Sequence, residues 1–139
     1  MQRLSIRTAS KVDFQDITAR VQEIVSSSGI DSGVCYIYVP HTTAAVTINE
    51  HADPDVVADI AAQLGSVIPQ HHRYRHIEGN SPAHIKATLL GSSAVIFIDN
   101  GRLILGTWQG IFFCEFDGPR TRNILVKLIP DTSPSISKV

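Results

Sequence analysis

Three late stretches of this chain, AVIFI (94–98), LIL (103–105) and IFFCEF (111–116), are apolar on both sides of an extended backbone. In IFFCEF, Phe112, Cys114 and Phe116 fall on one face, and Ile111 and Phe113 on the other. Successive side chains of a strand point to opposite faces. An antiparallel sheet with one wet face therefore alternates apolar and polar residues, which these stretches do not. Each face needs a covering layer. Three short helices can cover one face, and a second copy of the chain is the simplest cover for the other, so the pattern predicts a homo-oligomer.

The rest of the chain supplies the helices and further strands. Gln2 to Ala9 alternates as a half-solvated strand. Phe14, Ile17, Val21, Ile24 and Val25 recur every three or four residues, predicting a helix over 14–27 with Asp13 as N-cap and Gly29 as its stop. GVCYIYV (33–39) and Ala44 to Ile48 read as strands. Asp53-Pro54 opens a second helix with an apolar stripe of Val57, Ile60, Ala61, Leu64 and Val67. Residues 69–80 read as a polar loop, and Ser81-Pro82 opens a third helix that ends at Gly91. Asn100-Gly101 is a two-residue hairpin signal, and further strands follow at 110–116 and 123–129. About seven strands and three helices make an α+β domain with a mostly antiparallel sheet. One domain spans 1–130, and the Pro- and Ser-containing segment 131–139 reads as a flexible tail.

Composition narrows the function classes. With 139 residues, 43% hydrophobic and 18% charged, the chain has the make-up of one globular domain that needs neither disulfide nor metal to fold. Net charge is −1, which argues against a broad nucleic-acid or anionic-membrane footprint. No apolar run approaches the ~20 residues of a membrane span, and the first residues lack a signal-peptide core. Cys35 and Cys114 alone make no disulfide framework, so a cytoplasmic protein with reduced thiols is expected. There is no P-loop, GxGxxG, GxSxG or EF-hand loop.

Several groups can carry chemistry. Four of the six histidines lie between His71 and His84. His41, at a strand exit, is either a cleft residue or one bonded to backbone. His76 and His84 flank a turn that leads into a helix N-terminus, where free N–H groups favour anions. His41, His76 and His84 together would resemble a three-imidazole zinc site with an open position, although nothing in the spacing makes them converge. Asn49, Glu50, His51 and Asp53 crowd a helix start, either as ligands for a divalent cation or as a cap with solvated neighbours. Asn80 and Ser81 at the third helix, with Lys86 inside it and Arg120 and Arg122 further on, are candidate phosphate groups. Trp108 and Gln109 can stack on and hydrogen-bond a flat ring, or pack a sheet corner. Cys114, in an apolar run, reads as a core thiol.

Three blocks resemble the YjbQ family, also called the secondary thiamine-phosphate synthase family. They are HTTAA with TINE and ADP (41–54); EG with PAHIK and LLG (78–91); and NGRL with LGTWQGI and CE (100–115). The likeness covers about residues 5–129. It implies a homotrimer of α+β subunits and a polar cleft near a subunit boundary. That cleft would hold His41, Asn49, Glu50, Asp53, His76, Glu78, His84, Trp108, Gln109 and Cys114, with Zn or Mg at the histidines. Where many members carry Asn, this chain has His51, either a neutral change or an extra ligand. The activity implied is a weak thiamine-phosphate synthase reaction on small phosphorylated heterocycles. Glu50 and Asp53 would hold Mg²⁺ on the leaving diphosphate, Lys86 and the arginines would neutralise charge, and Trp108 would stack on the pyrimidine. The alternative is a non-catalytic trimer that binds a metal or small ligand.

Overall fold

The computed structural model describes residues 1–132. It contains eight strands and three helices: β1 (Gln2–Arg7), β2 (Asp13–Asp16), α1 (Thr18–Ser28), β3 (Gly33–Tyr38), β4 (Ala44–Glu50), α2 (Pro54–Val67), α3 (Ser81–Leu90), β5 (Ser93–Asp99), β6 (Arg102–Leu103), β7 (Gln109–Glu115) and β8 (Thr121–Pro130). The fold is α+β, and every strand pair is antiparallel. The strands form two sheets, ordered β1-β8-β3-β5-β6 and β2-β7-β4.

Two cores separate the layers. In the first, Ile6, Cys35, Ile37, Ile96, Ile124 and Val126 of the large sheet meet Val46, Ile111 and Phe113 of the small sheet, with Ile17, Val21 and Val25 of the α1 region beside them. In the second, Ala45, Phe112, Cys114 and Phe116 meet Ala83 and Ala87 of α3, with Val57 and Leu64 of α2 at the margin. The doubly apolar strand IFFCEF is therefore covered on both faces within one chain. The expectation that all helices lie on one face of one sheet is corrected: α1 joins the first core, and α2 and α3 back the small sheet. The outer face of the large sheet stays open, with Tyr36, Tyr38, Val95, Phe97 and Ile129 each 44–68% exposed.

The second strand was not expected. Residues 13–16 pair with β7, Phe14 opposite Cys114, so no helix can start there. Phe14 belongs to the second core, edge-on to Phe116 at 5.7 Å, whereas Ile17 and Val21 belong to the first. Asp13 is thus no N-cap. Asp16 opens α1 instead, by accepting the Thr18 N–H at 2.9 Å. The other helix signals act more nearly as read. Gly29 ends α1 at φ 75°, and Asp53 caps α2 by accepting from the Asp55 N–H at 2.9 Å. At α3 the cap position falls on Asn80, not Ser81, and makes no side-chain cap bond. Asn100 and Gly101, both at positive φ, turn β5 into β6.

The expected flexible tail lies outside the described residues from 133 onward. No described helix is long and apolar enough to cross a membrane.

Candidate functional site

The floor of the main cleft is a buried ion pair. Glu115 ends β7 with no exposure, and Arg122 on β8 is 6% exposed. The Arg122 guanidinium donates to both Glu115 carboxylate oxygens and, at 2.7 Å, to Thr43 Oγ1. Thr8 Oγ1 and the Asp117 N–H also donate to Glu115, at 2.9 and 3.1 Å. Burial alone would raise the Glu115 pKa, but these hydrogen bonds outweigh it and hold the carboxyl below its ordinary range. Arg122 is thereby committed inward and offers no free fork to a phosphate.

His41 stands where the β3–β8 ladder stops. The register ends at Tyr38 opposite Leu125, and in the same register Asn123 would face Pro40, which has no N–H. The His41 ring takes that place: its Nε2 lies 3.1 Å from both the N–H and the carbonyl oxygen of Asn123, accepting from the first or donating to the second according to its tautomer. Either way Nε2 is engaged by backbone and Nδ1 is the nitrogen left for a ligand: it carries the hydrogen when Nε2 accepts and the lone pair when Nε2 donates. Burial, then the charge of Arg122, lowers the His41 pKa and favours the neutral ring.

Around His41 opens a cleft of about 790 Å³ lined also by Tyr38, Thr43, His76, Glu78, Asn80, His84, Asp117, Arg120 and Arg122. His76, from the loop, and His84, from the first turn of α3, meet edge-to-face with ring centroids 5.4 Å apart. His76 Nε2 lies 3.7 Å from Glu78 Oε2. Arg120 donates to the Asp117 carbonyl at 2.7 Å and to its carboxylate at 3.1 Å. Asn80 Nδ2 donates to the same carboxylate at 3.0 Å, and Asn80 Oδ1 is buried without a partner among the described residues. Ser81 lines an adjoining hollow with Tyr74, His76 and His84.

So His41, His76, His84, Glu78, Asn80 and Arg120 share one cleft, with Ser81 beside it. The three histidines are not, however, arranged as a metal cage. Among the described residues, no three His, Cys, Asp or Glu side chains are grouped to hold an ion. The His41 nitrogen nearest the core is already engaged by backbone, and the other two rings face each other.

The remaining candidates lie elsewhere. Lys86 is not a cleft residue: its ammonium sits 5.8 Å from the Phe116 ring centroid, and burial, then Lys11, lowers its pKa. Cys114 is fully buried, and burial pushes its thiol pKa far up, so it cannot serve as a catalytic thiolate. The Cys35 thiol is likewise raised by burial, to about 11. Asn49, Glu50, Asp53, Trp108 and Gln109 stand at or beside the far end of β4, a strand whose two ends lie about 20 Å apart at the usual rise per residue, with His41 just before its start. Asp53 is occupied as the α2 cap, Gln109 Oε1 accepts the Gly106 N–H at 2.8 Å, and Trp108 is 62% exposed. The single polar cleft implied by the resemblance is therefore two separate regions within one chain.

Sequence reasoning missed Thr8, Thr43, Glu115 and Asp117. Glu115 carried a usable signal: a carboxylate inside an otherwise apolar strand must find a partner once buried. Thr8 and Thr43 carried none, since their roles depend on strands far apart in sequence.

A family model described as UPF0047 protein YjbQ-like matches residues 2–131. The chain belongs to that family. It is 49% identical to the UPF0047 protein YugU of Bacillus subtilis, over 93% of this chain and 98% of the relative. It is 50% identical to a UPF0047 protein of Methanocaldococcus jannaschii, over 93% of this chain and 94% of the relative. A crystal structure of a YjbQ/UPF0047-family protein from Clostridium acetobutylicum superposes with a TM-score of 0.91 at 53% identity, covering 93% of this chain and all of the other. A YbjQ-like protein of unknown function from Sulfolobus solfataricus superposes at 0.89 with 38% identity, covering 94% and 96%. In this YjbQ-family chain, the HTTAA–TINE block runs along β4, PAHIK opens α3, and GTWQG joins β6 to β7. The family blocks thus mark both ends of the small sheet.

Proposed function

We propose that the histidine cleft binds a small phosphorylated or heterocyclic ligand and is the seat of an enzymatic activity. Weak thiamine-phosphate synthase chemistry, joining a pyrimidine diphosphate to a thiazole phosphate with release of diphosphate, is one expression of it. The observation that carries this reading is the convergence of His41, His76, His84 and Arg120 on one open cleft above a floor tied together by the Arg122–Glu115 pair and Thr43. His41, with Nε2 engaged by Asn123 and Nδ1 left for the ligand, moves a proton through Nδ1. Arg120 and the α3 N-terminus favour the phosphate. The unpartnered Asn80 Oδ1 accepts from a ligand hydroxyl or amine. Glu50, Asp53 and Trp108 of the same chain take no part, because β4 holds them at its far end.

A divalent metal, Zn or Mg, fits only in part. His76 and His84 supply two nitrogens, and ligand oxygens would complete the set. The second reading is a non-catalytic homotrimer that binds a metal or small ligand there. The His76–His84 pair and the open apolar face of the large sheet favour it. Turnover assays with thiamine precursors, beside thermal melts with Zn²⁺, Mg²⁺ and diphosphate, separate the two. The enzyme reading expects product formation that is lost in His41→Asn while ligand-induced stabilisation persists. Stabilisation without product in wild type supports binding alone. Neither product nor stabilisation overturns both.

A further inference from the structure

At the opposite end of the small sheet, a histidine and an aspartate form a fixed pair. His51 Nδ1 lies 2.8 Å from Asp16 Oδ2. The other carboxylate oxygen, Asp16 Oδ1, accepts from the Thr18 N–H and from Thr18 Oγ1. Thr18 Oγ1 in turn accepts the Ile111 N–H at 2.8 Å. The aspartate is therefore held from behind by the start of α1 and by β7. His51 is held as well. Its N–H donates to the Trp108 carbonyl at 2.9 Å, and its ring lies so close to Gly110 that a Cβ there would sit 2.4 Å from Cγ and Nδ1. Only glycine at 110 leaves room for the ring in this position.

The consequence is a single favoured tautomer. With Nδ1–H donated to Asp16, the lone pair is on Nε2, which has no hydrogen-bond partner among the described residues. The His51 side chain is 33% exposed and lines a groove of about 550 Å³. Leu103 and Leu105 supply apolar walls to this groove, and Arg102 a charge without an acidic partner among the described residues. A base oriented by a carboxylate, beside an unpaired cation, is the arrangement needed to activate water against an anionic substrate.

We propose that this groove is a second reactive site, separate from the histidine cleft, in which His51 acts as general base on a small anionic ester held by Arg102. Water gives a proton to His51 Nε2 as its oxygen bonds to the ester carbonyl carbon. The ester C–O bond then breaks, and the leaving oxygen takes that proton back from the imidazolium. Ester and water become acid and alcohol, with nothing else consumed. Asp16 is a positioning residue: it fixes the tautomer and stabilises the imidazolium.

The probe is 4-nitrophenyl hemisuccinate, compared with the uncharged 4-nitrophenyl acetate, on the full chain. Wild type is expected to exceed free imidazole at equal concentration and to prefer the anionic ester. His51→Asn should reduce turnover by roughly 100-fold or more, and Arg102→Gln should abolish the preference. His72→Asn, on the exposed loop, should change neither. Nitrogen NMR of the imidazole should show Nδ1–H only in wild type and mixed tautomers in Asp16→Asn, a readout that loss of packing alone would not give. Hydrolysis no faster than imidazole, undiminished turnover in a folded His51→Asn, or a mixed tautomer in wild type would each overturn the proposal.

Discussion

Glu115 shows how much one residue can determine. It is a full charge with no exposure, tolerable because Arg122, Thr8 and the Asp117 N–H satisfy it together. Removing one partner of such a pair strands the other in low dielectric, so Glu115→Ala should cost about 3–5 kcal/mol, measured by urea unfolding. Its pH signature has a definite sign. The folded pKa lies below the ordinary 4.5, so this stabilisation is complete above that value and is lost as pH falls through the folded pKa. Acid unfolding of wild type should accordingly set in below about pH 4.5, and Glu115→Gln should flatten that limb of the stability curve. An unchanged acid limb would show that other carboxylates govern it.

At the scale of elements, local signals and partners divide the work. α2 begins at Asp53-Pro54 as its cap and proline dictate, yet none of its residues is fully buried and Val67 is 65% exposed. A helix with so little burial leans on its cap. Asp53→Ala should lower stability by about 1 kcal/mol and raise amide exchange in the first turn of α2, with exchange in β7 unchanged. β2 is the opposite case. Phe14 fits the helical stripe, but pairing with β7 places it in one core and leaves Ile17 to open the other. A 3.6-residue period in sequence cannot reveal that two of its apolar positions serve different layers.

At the scale of the molecule, the outer face of the large sheet has no covering layer among the described residues. Tyr36, Val95 and Phe97 are neighbours across β3 and β5, and each is at least 44% exposed. If that face joins copies of the chain as proposed, Phe97→Glu should shift sedimentation from trimer to monomer while leaving the circular dichroism intact. A wild-type monomer would place the cover for that face elsewhere. The double-sided strand β7, which first suggested an oligomer, does not need one, because the small sheet lies between two cores of its own chain.

By itself the sequence determined the α+β class, the N-terminal start of α2, the span of α3, the Asn100-Gly101 hairpin and the family. Each rests on local chemistry: a period, a cap, a proline, a turn residue or a contiguous block. It also singled out His41, His76, His84 and Arg120, because histidines and arginines in polar loops stand out from their surroundings. Only the tertiary structure decided which of them meet. His41 and His84 share a cleft although 43 positions separate them in the chain, whereas His41 and Glu50, nine apart, are driven to opposite ends by the extended strand between them. Burial of Cys114, the inward turn of Arg122 and the His51–Asp16 pair likewise depend on strand pairing across long stretches of chain. Sequence spacing measures distance along the backbone, and a functional site is set by distance across it.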